Sequence, residues 1–205
     1  MGGTRTHWED VYSMKAETAV SWYQPHSTRS LALLASSAPG SDAAIIDIGG
    51  GASTLVDDLS AQGYTDLSVL DVAEAALAKT KERLGTSAAR VAWLVADVSQ
   101  WHPPRAYDVW HDRAVFHFLT QSYQQDAYIS ALQAGTHIGS VVIIATFALD
   151  GPERCSGLPV QRYSPATLAK RLGAQFALTA EALEIHSTPW GSEQRFQYSL
   201  FRRTS

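Results

Sequence analysis

The stretch Ala43-Ala44-Ile45-Ile46-Asp47-Ile48-Gly49-Gly50-Gly51-Ala52-Ser53 constrains the fold more than any other part of the chain. A short apolar run carries an acid near its end, three glycines follow, and small residues then open a helix. This pattern predicts a buried strand over 43–48 that turns sharply, so that backbone N–H groups and a helix N-terminus face a ligand. A tight glycine-rich turn with no ligand is the plainer alternative.

From Ile45 onward, apolar runs alternate with helical periods, the βαβ pattern of a parallel sheet with helices on both faces. Strands are predicted at Leu67–Leu70, Val91–Val95, Tyr107–Trp110 and Val141–Thr146. Leu55 and Leu59 share one helix face, and a helix from Ala73 to Leu84 stops at Gly85. Ser122 with Gln125 reads as a capping box, and Ser164-Pro165 as an N-cap followed by N1 proline. The tail, about 180–187 and 194–202, reads as an antiparallel hairpin around Pro189-Trp190-Gly191. Residues Gly151 to Pro165 form a turn-rich segment. The expectation is one α/β domain over 1–205, with a helical lid over 1–40 and a Rossmann-like core over 41–205.

The glycine turn narrows the ligand. Gly49 and Gly51 as the first glycines of G-x-G-x-x-G put Thr54 where a dinucleotide site wants Gly or Ala. The charge of Asp47, two residues before Gly49, would oppose a pyrophosphate. It suits S-adenosylmethionine (SAM), which carries a sulfonium and an ammonium and no phosphate. No G-x-x-x-x-G-K-[S/T] occurs, so a P-loop is excluded.

A net charge of −4 lacks the basic footprint of a nucleic-acid binder. No apolar run approaches the ~20 residues of a membrane span. The one cysteine, Cys155, excludes an internal disulfide and fits a reducing, cytoplasmic setting. No spacing of a metal site is found. The chain has no Asn, which removes the Asn-Pro-Pro-Tyr type of amino-methylation site.

Acids follow or end four successive strands: Asp47, Asp71, Asp97 and the pair His111-Asp112. In open parallel sheets ligands bind beyond these strand ends, where strand order reverses. Asp71, about 20 residues beyond the glycines, suits ribose hydroxyls. Asp97 suits an adenine amino group, with the Val98 N–H facing a ring nitrogen. A helix N-cap is the alternative role for Asp71 or Asp97 taken singly.

These residues together resemble class I SAM-dependent methyltransferases, from Trp8 to Arg203. Asp47-Ile48-Gly49-Gly50-Gly51 resembles that family's D-x-G-x-G motif, with Ala52-Ser53 following. Val69-Leu70-Asp71, continued by Val72, resembles its ribose-binding strand end, and Ala96-Asp97-Val98 its adenine-binding one. The resemblance implies a seven-stranded, mostly parallel sheet with an antiparallel C-terminal hairpin. It also implies SAM as cofactor and S-adenosylhomocysteine (SAH) as product. Trp8-Glu9-Asp10-Val11-Tyr12 and Ser21-Trp22-Tyr23 are similar to signatures of the branch that methylates lysines of citrate synthase and elongation factors. The segment Asp108 to Ala114 resembles that branch's D-x-x-x-D-K-G, although Arg113 replaces its Lys and His117 stands near its usual Asp.

Methyl transfer from a sulfonium is an in-line displacement, so positioning supplies much of the catalysis. A lysine of pKa ~10.4 must also lose a proton, at about 4.6 kcal/mol near neutrality, whereas a thiol of pKa ~8.5 needs only about 2 kcal/mol. His111 and Asp112 are the candidates for general-base work, placed after strand four; Asp112 as a cap or as the partner of Arg113 is the alternative. Trp22 and Tyr23 suit a lid over the methionine end, by cation–π contact, or a hydrophobic staple. Arg113, His117 and Arg154 complete the candidate acceptor contacts. A small-molecule acceptor is expected, with a protein lysine as the alternative and a non-catalytic SAM-binding regulator as the third reading.

Overall fold

The computed structural model describes residues 2–205; Met1 lies outside them. Five parallel strands form the centre: β1 (Ala44–Ile48), β2 (Asp66–Asp71), β3 (Val91–Val95), β4 (Tyr107–Arg113) and β5 (Thr136–Phe147). Two short strands, β6 (Arg154–Cys155) and β7 (Leu158–Pro159), pair antiparallel within the turn-rich segment. The tail hairpin is β8 (Phe176–Ser187) and β9 (Glu193–Arg203), and β9 runs antiparallel to β5. The main sheet has seven strands in the order β3-β2-β1-β4-β5-β9-β8, so strand order reverses between β1 and β4.

Helices α1 (Gly2–Met14), α2 (Thr28–Ser36), α3 (Leu55–Ala61), α4 (Glu74–Leu84), α5 (Ser122–Ala134) and α6 (Pro165–Leu172) cover this sheet. The two-residue strand period divides the burial. Ile45, Val69, Val109 and Ile143 face one core with α2 and α3, while Ile46, Ile48, Trp110 and Ile144 face the other with α5 and α6. Both faces of β1 are therefore dry, and each fully buried Ile contributes about 1.5–3 kcal/mol. This explains why the central strands are continuous apolar runs while the edge strand β8 is largely exposed.

Two boundaries differ from the sequence expectation. Strand β4 continues through His111, Asp112 and Arg113, because β1 pairs Ile48 with Asp112 and β5 pairs Ala145 with Arg113. The acid–histidine pair thus lies inside the strand and not after it. The cap of α5 sits one residue earlier than expected. The Gln124 side chain accepts from the Gln121 N–H at 3.2 Å, which frees Gln125 to donate to the Leu119 carbonyl at 2.7 Å.

The N-terminal segment is tied across the carboxyl ends of the strands. Glu9 on α1 accepts from the Glu74 and Ala75 N–H groups, capping α4 from another helix at 2.8 and 3.1 Å. His186 on β8 donates to the Ser21 carbonyl at 2.7 Å, and Gln24 donates to Glu184 at 3.0 Å. Arg83 on α4 holds Glu17, Asp57 and the Ser53 carbonyl together.

Candidate active site

Two adjoining clefts open where strand order reverses. The first, about 860 Å³ and open to solvent, runs from Leu70, Asp71, Val72, Asp97 and Val98 to a wall of Trp8, Phe118, Cys155 and Phe196. The second, about 500 Å³, is lined by Asp47, Gly50, Ser53, Tyr23 and His111 among others. Tyr12, Trp22, Gly49 and Arg113 line both.

The glycine turn is shaped by close approach. Gly49 has φ +67°, and a Cβ there would overlap the Val115 side chain. At Gly50 a Cβ would overlap the Asp47 carboxylate, and at Gly51 it would come within 2.6 Å of the Ala76 Cβ. Gly49→Ala is accordingly expected to destabilise the protein by about 2–4 kcal/mol, from left-handed strain plus overpacking, lowering Tm by roughly 5–12 °C. A thermal melt checks this, and Val115→Ala in the same chain should recover part of the loss.

Asp71 is buried at the end of β2. Its Oδ2 accepts from Gly51 N at 3.0 Å and its Oδ1 from Ala73 N at 2.8 Å. Burial pushes its pKa up to about 7, against the pull of those backbone N–H donors. Asp97 accepts from the Ser99 N–H and hydroxyl at 2.9 and 2.7 Å and from the Gln100 amide at 3.0 Å, while lining the first cleft. It serves as a turn cap and as a cleft wall at once.

Asp47 is 4% exposed and receives His111 Nδ1 at 2.7 Å. With Nδ1 donating to this carboxylate, His111 Nε2 is left to meet the Ser30 hydroxyl of α2 at 2.8 Å. The second oxygen of Asp47 is buried with no hydrogen-bond partner among the described residues. A buried acceptor oxygen left open beside a cleft is the donor-poor feature that a cationic ligand would fill.

Residues 45–134 match the family described as "Methyltransferase domain". The matched stretch includes the glycine turn, Asp71, Asp97 and His111. No curated protein sequence matches it. Its fold is similar to that of a SAM-dependent methyltransferase of Anabaena variabilis, with TM-score 0.74 and 12% identity over 98% of this chain and 95% of that one. A structure of Burkholderia thailandensis 1,6-didemethyltoxoflavin-N1-methyltransferase with bound 1,6-didemethyltoxoflavin and SAH has TM-score 0.70 and 19% identity, over 100% of this chain and 85% of that one. Synechocystis magnesium protoporphyrin IX methyltransferase with bound SAH has TM-score 0.67 and 17% identity, over 86% and 81%. The fold is that of the SAM-dependent methyltransferases.

The structure brings most of the candidate residues together. Trp22, Tyr23, Asp47, Gly49, Gly50, Ser53, Asp71, Val72, Asp97, Val98, His111 and Arg113 all line the clefts, and Gly51 forms the turn behind them. Three candidates are placed elsewhere. Asp112 is fully buried and lines neither cleft; its carboxylate accepts from Val115 N, Phe116 N and the Tyr128 hydroxyl. His117 is also fully buried, with ring contacts to Phe118 and Phe147, and its Nδ1 accepts from Phe147 N. Burial holds its pKa down at about 3, so it stays neutral. Arg154 is exposed on the β6–β7 hairpin, donating to the Gly157 carbonyl away from both clefts.

The wall residues Tyr12, Phe118, Cys155 and Phe196 were not among the candidates. Each is an apolar or aromatic residue whose local pattern reads as core. Phe196 reaches the cleft only because β9 inserts beside β5.

Proposed function

We propose that the protein transfers a methyl group from SAM to a small-molecule nucleophile. The observation that carries this reading is the open oxygen of Asp47 above the glycine turn. The residues present fit SAM. Asp47 Oδ2 suits the ammonium of its methionine end, beside a turn where a Cβ would fill the space. Asp71 suits the two ribose hydroxyls, and Asp97 with Val98 suits adenine. Trp22 and Tyr23 line the second cleft beside Asp47, where their rings would suit a sulfonium. When bound, SAM supplies an electrophilic methyl group.

The chain's own part is to orient and to exclude water. The Asp47–His111–Ser30 row fixes the carboxylate from behind, so we read His111 as a positioning residue and not as a base. Two structurally similar proteins bear the names of small heterocyclic acceptors, toxoflavin and protoporphyrin derivatives, which supports a small acceptor here. The resemblance to the lysine-methylating branch rests on the α1 and Trp22-Tyr23 segments and on Asp108 to Ala114 at the end of β4, where Arg113 replaces that branch's Lys and His117 stands near its usual Asp. Among the described residues no helix is long and apolar enough to cross a membrane. A cytoplasmic setting is part of this proposal, resting on the unpaired, buried Cys155.

Calorimetric titration with SAM, SAH and NADH in parallel tests the donor. Micromolar binding of the first two alone is the expected result; binding of NADH alone would overturn the assignment of the glycine turn.

A further inference from the structure

The far wall of the first cleft is built mostly of rings. On the donor reading above, Asp71, Asp97 and Val98 face the adenosine. What remains is Trp8, Tyr12, Phe118, Cys155, Phe196 and Arg113, with Trp22 lining both clefts. The rings stand on edge to one another. Trp8 lies at 80° to Trp22 and at 75° to Phe118, with centroids 5.6 and 5.1 Å apart, and Tyr12 lies at 75° to Trp22. Near-perpendicular rings present faces in several directions at once, an arrangement that holds a flat ring and favours positive charge on it.

The wall carries no free charge. Arg113 is its cation, and that charge is already matched. Its Nη2 is buried 3.6 Å from the Glu184 carboxylate, while Nε donates to the Tyr198 hydroxyl at 3.0 Å and Nη1 to the Trp22 carbonyl at 3.2 Å. An anionic acceptor therefore finds no spare counter-charge here.

Nor does this wall hold a group that takes a proton. Asp112 and His117 line neither cleft, and His111 lines only the second, where its two ring nitrogens are engaged by Asp47 and Ser30. Burial pushes the Cys155 thiol up to about 11 and raises the Tyr12 phenol too, so both stay protonated near neutral pH. An alkylammonium acceptor of pKa ~10.4 would keep its proton, and its nitrogen would have no lone pair to give. A nucleophile suited to this wall brings a lone pair that is free at neutral pH without help.

We propose that the acceptor is an uncharged aromatic nitrogen base, a planar pyridine-type ring held against Trp8, Trp22 and Phe118, and that its methylated product is a quaternary aromatic cation. This rests on the reading of the protein as a SAM-dependent methyltransferase. The ring nitrogen's lone pair forms the new bond to the methyl carbon, and the sulfonium–methyl bond breaks with its electrons staying on sulfur. Positive charge passes from sulfur to the ring nitrogen, and no proton is released. The aromatic faces that suit a sulfonium suit the product cation as well, and Trp22 stands at the junction of the two clefts where that charge moves.

The test uses the full chain saturated with SAH at about pH 8, where aromatic nitrogens less basic than imidazole (pKa ~6.5) are unprotonated and an alkylamine is protonated. N-Methylisoquinolinium, naphthalene and naphthoate serve as cationic, uncharged and anionic probes built on rings of one size. Calorimetry should show N-methylisoquinolinium binding about tenfold more tightly than naphthalene, with naphthoate the weakest. Trp8→Leu keeps apolar bulk but removes a ring that lines the first cleft and not the second. It should cut the preference for the cation over naphthalene by about threefold or more, and Trp8→Phe should keep most of it. Labelled SAM should methylate isoquinoline, with no proton release in weak buffer, and should leave naphthylmethylamine unmethylated. Tightest binding of naphthoate, no binding of any probe, methylation of naphthylmethylamine but not isoquinoline, or an unchanged preference in Trp8→Leu would overturn the inference. If Trp8→Leu fails to fold, the probes and the two acceptors on the wild-type chain still decide. Failure of SAH itself to bind strikes the donor reading; SAH binding without cation preference strikes this inference alone.

Discussion

Asp71→Ala is expected to weaken SAM binding by about 100-fold or more, because hydrogen bonds to a charged group contribute about 1.5–3 kcal/mol each and two ribose hydroxyls would lose theirs. Asp71→Asn separates this from folding, since its amide oxygen can still accept one of the two N–H groups from Gly51 and Ala73. The same residue predicts a pH dependence. Burial raises its pKa to about 7 in the free protein, well above the ~3.9 of an unfolded aspartate. Between those values the folded chain holds a proton that the unfolded chain has lost. The stability contribution of Asp71 is therefore fully present below about pH 4 and lost as pH rises through about 7. Hydroxyl donors favour the ionised form, so SAM affinity should rise from about pH 6 to about pH 8, with proton release on binding. Calorimetry in buffers of different ionisation enthalpy reads both, and a flat profile would remove Asp71 from the ribose site.

Asp112→Ala should act on stability and not on turnover alone, lowering it by about 3–5 kcal/mol. The sequence left this acid two roles, general-base work beside the acceptor, where its loss would spare SAM binding but slow turnover, or a cap on the segment that follows. In the structure it ends a buried chain in which Trp110 Nε1 donates to the Tyr128 hydroxyl at 2.9 Å and that hydroxyl donates to Asp112 at 2.7 Å. It also holds the backbone where the chain leaves β4, at Val115 N and Phe116 N. Alanine strands three donors, two of them, Phe116 N and the Tyr128 hydroxyl, in a dry core. At roughly 2–4 °C per kcal/mol, Tm should fall by about 6–20 °C. Denaturation midpoints measured alongside SAM affinity decide the matter. A stable variant that binds SAM and turns over slowly would restore the catalytic reading.

The difference between these two acids shows what could be read without a structure. Asp47, Asp71 and Asp97 were legible because each stands at the carboxyl end of a strand that the apolar runs delimit, and the glycines mark the turn that opens the site. The frame was equally legible: apolar runs such as 43–48 alternating with helical periods, one of them stopped at Gly85, leave few folds open. Asp112 was misplaced by a strand boundary, because pairing to β1 and β5 extends β4 beyond the residues whose own pattern marks a strand. His117 and Arg154 carried suggestive chemistry in suggestive segments, yet local sequence does not say which way a side chain faces.

The sequence by itself determined the parallel sheet, the glycine turn and the acids that line the clefts, since strand period, turn conformation and charge are local properties. Tertiary structure alone decided the far wall of the first cleft. Trp8 comes from α1, Phe118 from the segment after β4, Cys155 from β6 and Phe196 from β9, and only the reversed insertion of β9 beside β5 brings Phe196 beneath the Arg113 guanidinium. That wall is a property of the assembly, because it depends on which distant segments pack against one another.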